Sequence, residues 1–300
     1  MSFASHQSFH IRDGWLRKGL LGVKEDPELF SKQFPEDVLG VGRAMVKAIR
    51  FWLPATGLVE KEFFTVDGKR LEKYNLTKFA EKILEKDKYF EQEVTVWLLH
   101  YKLVTSPNYA TTWYWFFNHF GLRQFTSEMF LSHLQRYVLS IKKNVAITSL
   151  EKDFRCFLRT YTSTVEKNQK DSIEDSFDSP FALLNLLHFM PRTNSYRVES
   201  PSKERLHSLL VLYALVSMQE EGLFNISLRD ALHNPLSPGR VFCLESENLY
   251  EHIAWLGEEY PKWIKLGETS GADLHNILIT KDANQWEIFE EIFLTELSKV

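Results

Sequence analysis

Three basic residues at helical spacing are the clearest candidates for chemistry in this chain of 300 residues. Arg43, Lys47 and Arg50 recur at i, i+4 and i+7, so a helix would place them on one face. An apolar stripe would lie on another face of the same helix; its members are Met45, Ile49 and Leu53. Such a pairing of faces is typical of a recognition helix that lies against phosphates and base edges. The same two faces are also found on ordinary solvent-exposed helices, so contact with nucleic acid through these cations is a hypothesis.

The residues around this stripe predict two helices joined by a tight turn. Helical patterns cover residues 36–39 and 42–53, and Gly40-Val41-Gly42 lies between them. Glycine suits such a turn because one residue there commonly needs a positive φ. Pro54 predicts that the second helix ends or kinks early.

A hairpin is predicted directly after these helices. Asp67-Gly68 is a strong two-residue turn signal, and it follows the extended stretch Leu58–Val66. The hairpin would form a wing, Glu60–Arg70, with Lys69 and Arg70 at its tip, although three carboxylates in it reduce its positive charge. Residues 1–90 are therefore predicted to form a winged helix-turn-helix module that binds DNA.

The N-terminal segment carries two histidines and several charged residues. On a helix, His6 and His10 at i, i+4 would present two imidazoles to one metal ion, but the metalloprotease pattern also requires a glutamate after the first histidine. Together with Asp13 they are weak candidates for catalysis. An ordered polar cluster around a buried Trp15 is the favoured alternative. The cations of this segment, as further candidates for nucleic-acid binding, are Arg12, Arg17 and Lys18.

The segment Ala110–His119 contains five consecutive aromatic residues. Aromatic side chains can stack on unpaired bases. A helix that is apolar on all sides is more often buried in a core, and we favour that interpretation. Thr111 and Thr112 are then expected to cap the helix, and Asn118 must find a hydrogen-bond partner.

Composition and known motifs exclude several classes of protein. No apolar run approaches the roughly 18 residues of a membrane span, and the N-terminus lacks the pattern of a signal peptide. Two cysteines cannot form a disulfide framework, which favours the cytoplasm. The net charge of −4 excludes a uniformly basic protein that coats DNA, but it allows a local basic patch. There is no glycine-rich phosphate loop and no G-x-S-x-G motif.

The remaining chain is predicted to be mainly helical with short β-hairpins. A central helical region, 91–180, has helices at 91–104, 111–120, 126–141 and 149–163 and ends in an exposed acidic loop at 166–180.

A C-terminal winged-helix-like module is predicted over residues 181–300. Its predicted elements are helices at 181–189 and 203–221, a helix that Ser227 caps, a strand at 241–244, a helix at 247–259 and a hairpin of 263–266 with 277–279. The helix at 247–259 bears no lysine or arginine, so we expect it to bind protein or complete the fold rather than read DNA.

Several segments, in order along nearly the whole chain, resemble the bacterial SspB-like family of DNA phosphorothioation defence systems, formerly a family of unknown function. The segments are His6–Lys18, Leu39–Leu53, Trp97–His100, Ala110–Asn118 and Ser237–Phe242. The resemblance implies a DNA-acting partner of a cysteine desulfurase, an ATPase and a sulfur-transfer enzyme. It also implies nicking of DNA, and a divalent metal, Mg²⁺ or Mn²⁺, would be the cofactor if the chain nicks DNA. Gln7 stands where many members carry an acidic residue, which weakens a nuclease assignment.

Two functions follow as expectations from the residues and the resemblance. The first is the DNA-binding and DNA-nicking component of a single-strand phosphorothioation system that acts against phage. The alternative is a non-enzymatic winged-helix protein that binds DNA or assembles partner enzymes. The sequence leaves open whether the chain forms a homodimer, and it identifies neither catalytic nor metal-binding residues.

Overall fold

The computed structural model describes residues 1–162, 179–218, 225–267 and 276–297, without the side chains of Lys69 and Leu297. As predicted, the described chain is mainly helical with small antiparallel sheets. The helices are α1 (Trp15–Glu25), α2 (Pro35–Leu39), α3 (Arg43–Ala55), α4 (Lys78–Lys86), α5 (Glu93–Val104), α6 (Thr111–Trp115), α7 (Ser127–Ser140), α8 (Ile147–Tyr161), α9 (Ser208–Ser217), α10 (Leu228–His233), α11 (Pro238–Val241), α12 (Ser246–Glu259) and α13 (Gln285–Leu297). The strands are β1 (Val59–Val66), β2 (Lys69–Leu76), β3 (Gln124–Phe125), β4 (Leu187–Met190), β5 (Ser195–Val198), β6 (Asn225–Ser227), β7 (Ile264–Leu266) and β8 (Asn276–Ile279).

The chain divides into two compact units. Unit 1 comprises Met1–Trp115 and Leu122–Arg197, and unit 2 comprises Phe116–Gly121 and Val198–Val300. The three-part division at residues 90 and 180 stays a prediction, and the acidic loop at 166–180 lies outside the described residues except for its last two. None of the described helices is long and apolar enough to cross a membrane.

In unit 1, α2 and α3 form the predicted helix pair. Gly40 ends α2 at φ 59°, the left-handed conformation for which glycine has no steric penalty. The buried face of α3 includes Ile49 and Leu53 as predicted, whereas Met45 is only half-buried.

α3 ends at Ala55, one residue after Pro54, close to the end predicted from the proline. A proline in the last turn removes only one helical hydrogen bond. Thr56 closes that turn: its N–H donates to Trp52 O at 2.9 Å, and so does its hydroxyl.

The hairpin predicted at Asp67-Gly68 is confirmed. β1 and β2 pair antiparallel from Val59 opposite Leu76 to Val66 opposite Lys69. The two turn residues have φ values of 50° and 75°, as a two-residue turn with positive φ at both positions requires. The Ser31 hydroxyl donates to Glu72 O at 2.8 Å, which holds β2 against the short helix Leu29–Ser31 that precedes α2.

The aromatic segment belongs to the core, as favoured from the sequence. Its buried aromatic residues are Trp113, Trp115, Phe116 and Phe117. Asn118 has the partner that its burial demands, since its Oδ1 accepts from Leu236 N at 2.6 Å. The predicted capping role of the two threonines is wrong: Thr112 Oγ1 donates to Asp153 Oδ2 at 2.6 Å, and Thr111 Oγ1 donates to Pro107 O at 2.8 Å.

Three predicted elements of the C-terminal half differ from the structure. Residues 181–189 form a short 3-10 helix, Pro180–Leu184, followed by β4, because Asn185 leaves the helix in the left-handed conformation. The helix predicted at 203–221 begins only at Ser208, where His207 Nδ1 accepts from Leu209 N at 3.2 Å. The predicted strand at 241–244 is wrong. Ser237 caps α11, and Pro238 at its first position favours a helix.

Three other elements predicted in the C-terminal half are confirmed. Ser227 caps α10 by accepting from Asp230 N at 3.0 Å. The helix predicted at 247–259 is α12, and β7 pairs with β8. β6 adds a third strand to that sheet on the other side of β8.

Candidate nucleic-acid interface

A basic groove lies beside α3 in unit 1. Its volume is about 280 Å³, and its charged lining residues are Lys32, Glu36, Arg43, Lys47 and Arg50. The structure therefore brings the three predicted cations of α3 to one concave surface. Four cations and one carboxylate line the groove, and Asp26 and Glu72 next to it pair with Lys32 and Arg50, so a positive charge remains that favours an anionic ligand such as a phosphate backbone.

Lys32 is a groove residue that sequence reasoning missed. It directly follows the short helix Leu29–Ser31 and forms an ion pair with Asp26. Because Lys32 is not on α3, no helical spacing connects it with the other three cations. Only the path of the chain before α2 brings it to the groove.

Glu36 holds Arg43 at the start of α3. Arg43 donates to Glu36 Oε1 from Nε at 3.1 Å and from Nη2 at 3.0 Å. The pKa of Glu36 is lowered by a hydrogen bond from its own backbone N–H and by these bonds from Arg43, so the carboxylate stays charged. The Arg43 side chain is nevertheless 74 % exposed, so an incoming phosphate can reach the guanidinium.

Glu72 connects the hairpin with α3. Its carboxylate accepts from Lys61 Nζ at 2.5 Å and from the Tyr74 hydroxyl at 2.7 Å, and it lies 3.4 Å from Arg50 Nη1. Burial opposes ionisation of Glu72, but the bonds from Lys61 and Tyr74 and the charges of Arg50 and Lys61 outweigh it, so its pKa is lowered. For Tyr74, burial and the bond to Glu72 raise the pKa. The charged carboxylate fixes the hairpin beside the groove.

Lys47 differs from the other groove cations. It is exposed, and within the described part of the chain it makes no ion pair. A phosphate at Lys47 would displace no carboxylate. Lys47 is therefore the cation whose charge is most available to a ligand.

The hairpin carries further cations next to an exposed aromatic ring. The guanidinium carbon of Arg70 lies 3.7 Å from the centroid of Phe63, and Lys61 Nζ lies 4.7 Å from the same centroid. Phe63 is 50 % exposed. The side chain of Lys69, the other cation predicted at the tip, lies outside the described residues.

The N-terminal histidines are not the helical pair that a shared metal ion would need. α1 begins at Trp15, and both His6 and His10 lie before it, buried to 1 % exposure. His6 Nε2 lies 2.8 Å from Asp153 Oδ1, and its ring stacks on Trp52 at 5.9 Å between centroids. The segment is not helical, so the i, i+4 spacing does not pair the two imidazoles, and catalytic roles for His6, His10 and Asp13 stay predictions. Asp13, the third catalytic candidate, is exposed.

The favoured alternative for this segment, a polar cluster around Trp15, is confirmed. Trp15 is buried, and the Arg12 guanidinium lies 5.2 Å from its ring and 5.3 Å from that of Phe9. Arg17 donates to Lys88 O at 3.0 Å and is half-buried. Lys18 alone of the three N-terminal cations is exposed. DNA contact through these three cations stays a prediction.

Asp153, the carboxylate beside His6, is not open to a divalent metal. Asp153 is buried, and its carboxylate already accepts from Ala4 N at 2.7 Å, from Thr112 Oγ1 and from the ring of His6. Elsewhere in the described part of the chain, no three His, Cys, Asp or Glu side chains are grouped so as to hold a metal ion. Mg²⁺ prefers several oxygen ligands with water around them, which a saturated buried carboxylate does not provide.

A second pocket of unit 1 is larger but less suited to a phosphate. Its volume is about 560 Å³, and its charged lining residues are Lys24, Glu81 and Glu85. These charges have mixed sign with an excess of negative charge. The smaller basic groove is therefore the better candidate interface.

Comparison with known proteins identifies the family. The sequence profile of the family described as "Protein of unknown function (DUF4007)" matches residues 3–293. The chain belongs to this family. A solved structure described as "SspB crystal structure" shares 26 % sequence identity with it, with a TM-score of 0.86 over 97 % of this chain and 88 % of that one. The SspB-like resemblance expected from the sequence is thereby confirmed.

A second solved structure supports the same fold. It is described as "Magnesium ion-bound SspB crystal structure" and has a TM-score of 0.87 at 24 % identity, with the same coverage of 97 % and 88 %. A comparison with curated proteins finds no match.

Proposed function

We propose that this protein binds DNA through the basic groove, as a component of a DNA phosphorothioation system. The observation that carries the proposal is the convergence of Lys32, Arg43, Lys47 and Arg50 on one groove in a chain whose net charge is −4. Membership of the DUF4007 family and the structural likeness to SspB support the assignment to that system.

We further propose that α2, α3 and the β1–β2 hairpin act together as a winged helix-turn-helix module. In such modules one helix enters the major groove of DNA, while neighbouring elements of the protein contact the DNA backbone. The ion pair of Arg50 with Glu72 supports this role, because it holds the hairpin and α3 in a fixed relation. A winged-helix-like arrangement in the C-terminal region stays a prediction.

The carboxylates beside the groove orient its cations before DNA arrives. Glu36 and Glu72 hold Arg43 and Arg50, and both pairs are partly exposed, so a phosphate can compete for either guanidinium. Lys47 needs no such exchange. The first phosphate contact is therefore expected at Lys47, with Arg43 and Arg50 adding contacts on either side along the helix.

Replacement of the three cations of α3 tests DNA binding. The triple variant Arg43→Ala, Lys47→Ala, Arg50→Ala should bind a labelled duplex much more weakly, because up to three phosphate contacts are lost. Its melting temperature should stay close to the wild-type value, because these side chains lie outside the core. Wild-type affinity in a triple variant that melts normally would refute the proposal.

Nicking of DNA, and association with a cysteine desulfurase, an ATPase and a sulfur-transfer enzyme, are further parts of this proposal. A plasmid relaxation assay with Mg²⁺ or Mn²⁺ against EDTA tests nicking. Metal-dependent open circles would support a nicking component. Binding without cleavage would support the non-enzymatic alternative, a protein that binds DNA or assembles its partners.

A further inference from the structure

An exposed phenylalanine on the hairpin carries two cations on its ring. Phe63 is 50 % exposed, although a side chain of this size is usually buried in a core. Arg70 lies 3.7 Å from the ring centroid, close enough for the guanidinium to lie against the ring. Lys61 lies 4.7 Å from it. The guanidinium therefore lies over one face of the ring, and the two groups form a stacked, positively charged pair.

The register of the hairpin places these residues on one face. Lys61 and Phe63 are two residues apart on β1, so their side chains point the same way. Arg70 is opposite Thr65, which makes it the diagonal neighbour of Phe63 on that face. Val66 is also exposed, at 46 %, but it belongs to the opposite face of the same strand.

This face continues into the basic groove through Glu72. Phe63 is directly opposite Glu72, so their Cβ atoms are neighbours across the two strands. Glu72 in turn contacts Arg50, which lines the groove. A nucleic acid whose backbone lies in the groove therefore has Phe63 and Arg70 within reach of an adjacent nucleotide.

We propose that Phe63 and Arg70 form a stacking platform for an unpaired base of DNA. An unpaired base is flat and apolar, and proteins bind such bases by stacking them on aromatic rings or on guanidinium planes. Paired bases inside a duplex expose no face that could stack there. This inference rests on the proposed function, and it specifies the substrate as DNA with an unpaired base next to the backbone held in the groove.

Single-stranded and duplex oligonucleotides distinguish the platform from the groove. In a single strand, 2-aminopurine should lose fluorescence when the wild-type protein binds, because stacking quenches it. Phe63→Leu keeps apolar area but removes the ring, and it should weaken single-strand binding roughly 5-fold or more, the lower end of the known cost of losing one base stack. It should also restore the fluorescence, whereas duplex affinity should change less than about two-fold, because the phosphate contacts of the groove remain.

Matched variants separate stacking from a merely structural role of Phe63. Phe63→Tyr retains an aromatic ring and should bind the single strand like the wild type. Val66→Ala removes exposed apolar surface from the opposite face and should change neither oligonucleotide's affinity. Because Phe63 is half-exposed, all three variants should melt near the wild-type temperature.

Several results would overturn the platform. One is a Phe63→Leu protein that melts normally, binds the single strand like the wild type and quenches 2-aminopurine equally. Equal weakening of single-strand and duplex binding is another, because it would show that Phe63 only supports the groove. If the wild type binds neither oligonucleotide, the proposed function fails and the platform fails with it, a pattern distinct from the other two.

Discussion

Replacement of Glu36 by glutamine should strengthen DNA binding, because Glu36 occupies the guanidinium of Arg43 in the free protein. Arg43 donates two hydrogen bonds to one carboxylate oxygen, at 3.1 and 3.0 Å. Glutamine preserves the shape of the side chain but removes its charge. Arg43 can then bind a phosphate without first breaking its ion pair with residue 36.

The expected size of this effect follows from counterion release. In the wild type, Arg43 neutralises a phosphate only by leaving Glu36 unpaired, so that contact releases little net counterion. In Glu36→Gln the same contact releases one, which makes the slope of log affinity against log salt more negative by about 0.9 for duplex DNA. Over a rise from about 50 to about 200 mM salt, that slope corresponds to about a 3.5-fold change in affinity. The advantage of Glu36→Gln over the wild type should therefore shrink about 3.5-fold across this range.

Fluorescence anisotropy of a labelled duplex at several salt concentrations measures both affinities. Asp37→Asn is the matched control: Asp37 is the next residue on α2, it is exposed, and it does not line the groove. It removes the same charge without releasing an arginine, so its salt slope should equal that of the wild type. Weaker binding by Glu36→Gln, or a slope equal to that of Asp37→Asn, would refute the reasoning.

Three further predictions concern the buried polar groups. Asp153→Ala should lower the free energy of unfolding by about 3 kcal/mol, because two buried donors and one partly buried donor lose their acceptor. Urea unfolding measures this, and a loss below about 1 kcal/mol would contradict it. Burial, with the charges of Lys203 and His207, lowers the pKa of His252 from 6.5 to about 4. The unfolded chain therefore binds a proton in this window that the folded protein does not bind, so about 3 kcal/mol of stability present above pH 6.5 is lost as the pH falls to 4. Urea unfolding at pH 7 and pH 4 should show less loss in His252→Gln, and an equal loss in both proteins would contradict the assignment. Burial raises the pKa of the Cys156 thiol, and Cys243 is also buried, so neither should react with iodoacetamide before unfolding; rapid alkylation of the native protein, seen by mass spectrometry, would oppose this.

Local patterns predicted the elements that form the candidate interface. The spacing of cations on α3, the glycine turn before it and the Asp67-Gly68 turn each depend on residues close together in the chain. These patterns are reliable because residues close together in the chain contact each other independently of the tertiary structure. The failure at 241–244 has the same origin. An apolar run that resembled a strand was preceded by a serine cap and a proline, which start a helix.

Contacts between distant residues were beyond local patterns. His6 and Asp153 are 147 residues apart, and no periodicity connects them. Lys32 joins the groove only through the fold of unit 1. Phe63 and Arg70 are different, because the Asp67-Gly68 turn fixes the register that makes them diagonal neighbours. Counting outward from that turn would have identified the pair before the structure was known.

The most direct test of DNA binding by the basic groove is the salt dependence of affinity in Lys47→Ala. Lys47 is exposed and has no ion pair within the described chain, so its replacement removes a charge without releasing another. Lys24→Ala is the control, since Lys24 is an exposed lysine on α1 that does not line the groove. If Lys47 contacts a phosphate, the slope of log affinity against log salt should become shallower by about 0.9 in Lys47→Ala and stay at the wild-type value in Lys24→Ala. Equal affinities and equal slopes for the wild type and Lys47→Ala, with unchanged melting, would contradict DNA binding by this groove.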